Sequence, residues 1–172
     1  MCVNPVQHSL RESRCNKADR MNEKPHHATI TMERFFPAPI ERVFSEFADP
    51  VARSRWSAPS NDVLVYDEAD FRQGGRDVFR CGPPNDLKFR GETTYHLIIP
   101  NKCVVSSETM DTDGRRLAVS LSTLDLEPTG AGVTLRLTVQ IVSLVGSGMI
   151  EAFKSGNYGA LENLARHLSA NP

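Results

Sequence analysis

Apolar and polar positions change period along the chain, and the changes mark its elements. Ala28 to Phe36 reads as a strand, with Ile30, Met32 and Arg34 on one face by a period of two. Pro37 and Pro39 stop it, and Pro39 suits the first turn of a helix, where a backbone N–H is not needed. Ile40, Val43, Phe44 and Phe47 then recur at helical spacing until Asp49-Pro50 closes the helix, and a second short helix is expected over Val51 to Trp56. Strand-like runs follow over Asp62–Tyr66, Gly75–Cys81, Lys88–Ile99, Cys103–Met110, Arg116–Leu126 and Val133–Val142. Turns are expected at Gln73-Gly74-Gly75, Pro100-Asn101, Asp111-Thr112-Asp113-Gly114 and Glu127-Pro128-Thr129-Gly130. In the last strand Val133, Leu135, Leu137, Val139 and Ile141 alternate strictly.

One more helix ends the chain, Gly148 to Ser169, carrying Ile150, Phe153, Tyr158, Leu161, Leu164 and Leu168. Its apolar face must be buried, and the large surface available is the concave side of the preceding sheet. A sheet curled around a helix leaves room between them, and such room is where small molecules bind. Gly156 and Gly159 lie inside this helix, each costing about 1 kcal/mol relative to alanine. They would serve a close approach, a ligand space or a kink.

The 172 residues suffice for one domain with a full core. Residues 1–25 are polar and without period, and are expected to be a disordered leader, with Met21 an alternative start; residues 26–172 form the domain. The net charge of −1 gives no electrostatic case for nucleic acid or an anionic membrane, and no apolar run is long enough to span a bilayer. Without an apolar N-terminal block, the cytoplasm is the expected location. Cys2, Cys15, Cys81 and Cys103 form no C-x-x-C pair, so zinc is not expected, and Cys81 and Cys103 read as reduced thiols in or near the sheet.

Several short motifs occur in a familiar order. They are Phe36 with Ala38-Pro39, Val43-Phe44, Asp49-Pro50 with Trp56, Gly74-Gly75-Arg76, Tyr95 with Ile98-Ile99-Pro100, and Glu108-Thr109-Met110. The tract Leu124–Thr138 and the Gly156, Tyr158, Leu161, Leu164 spacing complete the set. In this order the chain resembles the activator of Hsp90 ATPase homologue family, within the START-like (SRPBCC) superfamily, over residues 28–169. The resemblance implies an α+β helix-grip fold: a curved antiparallel sheet wrapped around a long C-terminal helix, with two short helices after strand one. It departs at Phe44 and Tyr158, where the family often has tryptophan, and at Cys103, where it often has arginine. The eukaryotic co-chaperone carries a separate N-terminal domain for which residues 1–25 are too short, which argues against Hsp90 ATPase stimulation here.

Chemistry-bearing clusters are few. Tyr95 and His96 point to opposite faces of a strand, so a cavity-facing Tyr95 leaves His96 in solvent. His167 suits the end of the last helix. Ser106, Ser107, Ser120 and Ser122 read as ordinary sheet serines, because none sits in a G-x-S-x-G turn. Glu68, Asp70 and Asp77 could pair as carboxylates, but hairpin acids usually form a solvated face. A binding cavity would be lined by Trp56, Phe79, Tyr95, Met110, Phe153 and Tyr158, residues that would otherwise serve as core. Arg34, Arg80, Arg90 or Gln140 would supply a polar anchor at its mouth.

The expectation is therefore binding of a small lipophilic or aromatic molecule beneath the last helix, without metal or bound organic cofactor. The alternatives are a cyclase or hydrolase using the same cavity, and a stress-related chaperone-interaction module. An enzyme would need an acid or base with a shifted pKa inside the cavity. An edge strand would allow a homodimer.

Overall fold

The computed structural model describes residues 24–58 and 62–170. The leader expected over residues 1–25 lies, but for its last two residues, outside the described residues. Strand β1 (His26–Phe36) starts two residues earlier than the sequence pattern suggested, because His26 and His27 pair with Ser143 and Val142. Helices α1 (Ile40–Ala48) and α2 (Pro50–Trp56) follow. Pro39 caps α1 from outside, and it is Pro50 that occupies the first turn of a helix, that of α2. Asp49 ends one helix and starts the next: its side chain accepts from the Val51 N–H at 2.8 Å.

Strands β2 (Val63–Glu68), β3 (Arg76–Gly82), β4 (Phe89–Ile99), β5 (Cys103–Thr112), β6 (Arg115–Thr129) and β7 (Gly132–Ser143) precede the long helix α3 (Gly148–Ala170). The seven strands form one antiparallel sheet in the order β1-β7-β6-β5-β4-β3-β2. Strands β2 to β7 are each hydrogen-bonded to the next in sequence, and β1 closes onto β7, so that the two short helices lie at one transition only. Asp113 and Gly114 adopt φ of 49° and 71°, the left-handed pair a tight β5–β6 hairpin requires.

The core is concentrated at one end of the grip. Ile30, Met32, Phe36, Val133, Leu135, Val139 and Ile141 of β1 and β7 pack with Val43 of α1 and with Leu161, Leu164 and Leu168 of α3. These three leucines lie on the C-terminal half of α3. Polar ties hold that half in place: Asn163 Nδ2 donates to the carbonyls of Trp56 and Ala58 at 3.1 and 2.7 Å, and Arg42 Nη2 donates to the Leu168 carbonyl at 3.0 Å. His167 Nε2 lies 3.3 Å from Glu46 Oε2. Arg34, on the inward face of β1, pairs with Glu162 of the same helix.

Candidate functional site

The N-terminal half of α3 does not pack tightly onto the sheet. Beneath it lies a cavity of about 420 Å³, walled by α2, the concave faces of β2–β7 and the α3 residues Met149, Ala152, Phe153, Gly156, Asn157 and Ala160. An added Cβ at Gly156 would meet nothing within 4 Å, so this glycine leaves open space above the sheet. The sheet contributes alternate residues, as a period of two requires: Asp77, Phe79 and Cys81 from β3, Thr93 and Tyr95 from β4, and Val104, Ser106, Glu108 and Met110 from β5. On Gly91 an added Cβ would sit 2.1 Å from the Phe79 ring, so the glycine lets that ring lie flat across the sheet.

Of the residues expected to line a cavity, Trp56, Phe79, Tyr95, Met110 and Phe153 are brought together in its wall. Tyr158 is not in the wall; it is 47% exposed, and Asn157 takes the adjoining place. Arg34, Arg80, Arg90 and Gln140 are also outside it: Arg34 bonds Glu162, Arg80 grips Asp67 in a bidentate pair, Arg90 leans toward Glu92, and Gln140 is exposed. His96 faces outward and bonds Ser107 Oγ at 2.8 Å, while Tyr95 faces in. Cys81 and Cys103 are free, half-buried thiols, and burial pushes the Cys81 thiol up to about 11.

Asp77 is the main correction. Its hairpin position suggested a solvated acid, yet it is 1% exposed and anchors a polar cluster in the cavity wall. Arg53 Nη2 of α2, itself 6% exposed, lies 2.6 Å from Asp77 Oδ2. The Tyr95 hydroxyl donates to the same oxygen at 2.5 Å and accepts from Arg53 Nη1 at 2.7 Å. Arg53 Nη1 also donates to the Phe47 carbonyl, and the Asp70 N–H donates to Asp77 Oδ1, each at 2.9 Å. The guanidinium is sandwiched as well: its Cζ lies 4.7 Å from the Tyr66 ring centre and 5.5 Å from that of Phe71. Burial works against the Arg53 charge, but Tyr66, Tyr95 and Asp77 together hold it above its usual pKa. Burial pushes Tyr66 up to about 12 and Tyr95 up further, so both phenols stay neutral.

Glu108, like Arg53, is a wall residue that sequence reasoning did not select. It lies in the wall beside Met110, paired across the sheet with Thr93, whose hydroxyl donates to Glu108 Oε2 at 3.2 Å. Burial pushes its carboxyl up to about 7. Asp77, Thr93, Glu108 and Ser120 occupy one row across β3–β6, and Tyr95, Ser106 and Ser122 occupy the next row across β4–β6. The concave face thus carries a polar band between one apolar side formed by the Phe79 ring and the Met110 thioether and an aliphatic side (Val104, Leu124, Leu137). Trp56 Nε1 and Ser120 Oγ are buried without a hydrogen-bond partner among the described residues. No group of three or more His, Cys, Asp or Glu among the described residues could hold a metal.

A curved sheet gripping a long C-terminal helix around such a cavity defines a START-like helix-grip protein. The chain belongs to the family described as activator of Hsp90 ATPase homolog 1-like protein, which matches residues 37–169. Its fold recurs in an uncharacterised protein of Rhizobium leguminosarum, 28% identical, with a TM-score of 0.75 over 86% of this chain and 98% of that one. Mll3558 of Rhizobium loti is 31% identical over 84% of this chain and 99% of its own, with a TM-score of 0.74. CV1439 of Chromobacterium violaceum, at 24% identity and a TM-score of 0.70 over 81% of this chain and 96% of that one, shares the fold. No curated protein matches the chain. No helix among the described residues is long and apolar enough to cross a membrane.

Proposed function

We propose that this protein binds a small lipophilic or aromatic molecule between the sheet and the N-terminal half of α3. The observation that carries this reading is the cavity itself: its 420 Å³ falls within the roughly 300–1,000 Å³ usual for small-molecule sites. Trp56, Phe79, Tyr95, Met110 and Phe153 supply the apolar contact. Burying apolar ligand area contributes about 25 cal/mol per Å² before the costs of association are subtracted. The buried Trp56 N–H is a donor that an occupant could satisfy.

Glu108 favours a second reading, a cyclase or hydrolase using the same cavity. A carboxyl pushed up to about 7 exchanges a proton near neutral pH, as a general acid or base must. The interaction-module reading calls for little interior volume and is supported less well.

Native and denaturing mass spectra of the purified protein test the binding reading. The expected result is a co-purifying species of defined mass that is lost in Trp56→Ala. A clean apo spectrum, with no thermal shift across a lipophilic panel, would overturn it. Any compound found is then incubated with the protein, and its conversion would establish the catalytic reading.

A further inference from the structure

The charges in the cavity wall do not balance. Arg53 is the one cationic residue lining the cavity among the described residues, and Asp77 already compensates it at 2.6 Å. Glu108 has no such partner: among the described residues its hydrogen bond is to the Thr93 hydroxyl. It sits on the same cross-strand row as Asp77, two strands away, roughly 10 Å from it along the sheet. Asp62 adds a further carboxylate to the lining, and among the described residues no salt bridge links it to a cation. An anionic ligand would therefore meet carboxylates without an available counter-charge, while a cation would find one in the middle of the floor.

We infer that the cavity selects cationic amphiphiles, an aromatic or aliphatic body carrying one protonated amine whose N–H groups donate to the Glu108 carboxylate. The inference rests on the binding reading above and narrows its ligand class. The apolar body would lie on the Phe79 and Met110 side of the polar band, under Phe153. Charge-assisted hydrogen bonds in a low-dielectric cavity are stronger than neutral ones, so the amine should decide affinity between ligands of equal apolar area. The titratable groups that share the wall with Glu108 are Asp62 ahead of β2, Tyr66 on β2, Asp77 and Cys81 on β3, Tyr95 on β4, and Arg53 on α2; β6, β7 and α3 add none to the wall. Tyr66, Tyr95 and Cys81 are held neutral by burial, while burial brings the Glu108 carboxyl up to about 7. An ammonium beside it stabilises the carboxylate, and binding releases the carboxyl proton to solvent.

Three probes of matched body test this: naphthylmethylamine, naphthylmethanol and naphthoate, titrated calorimetrically into the full chain at about pH 8, where the amine is still largely protonated. The expected order is amine, then alcohol, then carboxylate, with the amine roughly tenfold or more tighter than the alcohol. In Glu108→Gln the amine should fall to the affinity of the alcohol, which should itself change little. Because that variant alters a cavity residue, the wild-type protein carries an independent readout. Lowering the pH from about 8 to about 6 should weaken the amine roughly tenfold and leave the alcohol unchanged, as expected for a carboxyl titrating near 7. Equal binding of amine and alcohol, tightest binding of naphthoate, or an amine affinity indifferent to both Glu108→Gln and pH overturns the inference while the cavity stands as a binding site. Absence of binding by all three probes removes the binding reading, and the inference with it.

Discussion

Arg53 of α2 and Asp77 of β3 meet at 2.6 Å in the wall of the cavity, with 6% and 1% of their surface exposed. The pair does more than close a charge. Through Tyr95 and the Phe47 carbonyl it ties α2 to β3, β4 and the end of α1, and so fixes the height of Trp56 above the sheet. A buried ion pair is weak evidence for stability, but losing one partner is costly because the other charge stays buried and unpaired.

Asp77→Ala should therefore destabilise the protein by about 3–5 kcal/mol in denaturant unfolding. Arg53→Met combined with Asp77→Leu should recover most of that loss, giving a large coupling energy in a double-mutant cycle. A single-variant loss below about 1 kcal/mol would mean that water reaches the pair.

Glu108 should make stability fall as pH rises. Its folded-state pKa, raised to about 7, lies above the unfolded value, so the native state binds the extra proton between about pH 4.5 and 7. Relative to Glu108→Gln, wild type should be unaffected at low pH and lose up to about 3 kcal/mol by about pH 8, less where water solvates the cavity. Urea unfolding of both proteins across this range measures the slope, and parallel curves would count against a buried carboxyl.

Gly91 is the floor on which the Phe79 ring rests, with a Cβ-to-ring distance of 2.1 Å if a Cβ were added. Gly91→Ala should cost about 1–3 kcal/mol by forcing the ring off its rotamer. Phe79→Ala in the same background should relieve the clash, so the two changes should be strongly non-additive. Additive losses in thermal unfolding would show that the ring does not depend on the glycine.

Gly156 and Gly159 should respond differently to substitution. Both have open space at Cβ, so Gly159→Ala and Gly156→Ala should each stabilise α3 by about 0.5–1 kcal/mol. Only Gly156 lines the cavity, so Gly156→Leu should weaken binding of a co-purified ligand while Gly159→Leu leaves it intact. Equal effects at the two positions would move the ligand away from α3.

Trp56 and Tyr158 make a similar contrast. Trp56→Ala should weaken ligand binding roughly tenfold or more by removing a large apolar wall. Tyr158→Ala should leave affinity unchanged, because that residue is 47% exposed and lies outside the cavity wall. A loss of affinity in Tyr158→Ala would require the helix to turn toward the cavity when occupied.

The sequence by itself determined the order and type of the elements, because period and turn chemistry are local. Strict alternation through β7, the Asp113-Gly114 hairpin and the leucine spacing of α3 all act over a few residues. It also carried part of the site. Once Met110 and Tyr95 are expected to face inward, a period of two puts Glu108, Ser106 and Thr93 on the same face, and Phe79 does the same for Asp77. Arg53 lies three residues before Trp56, on a neighbouring part of the same helix face. What only the tertiary structure decided was the meeting of these groups. Arg53 and Tyr95 are 42 positions apart, and their contact depends on how α2 sits on the sheet. Strand register placed Asp77, Thr93 and Glu108 in one row, and a slip of one residue would have turned each to the other face. Burial then gave these side chains their chemistry: the charge that would be ordinary on a solvated hairpin becomes costly and specific under α3.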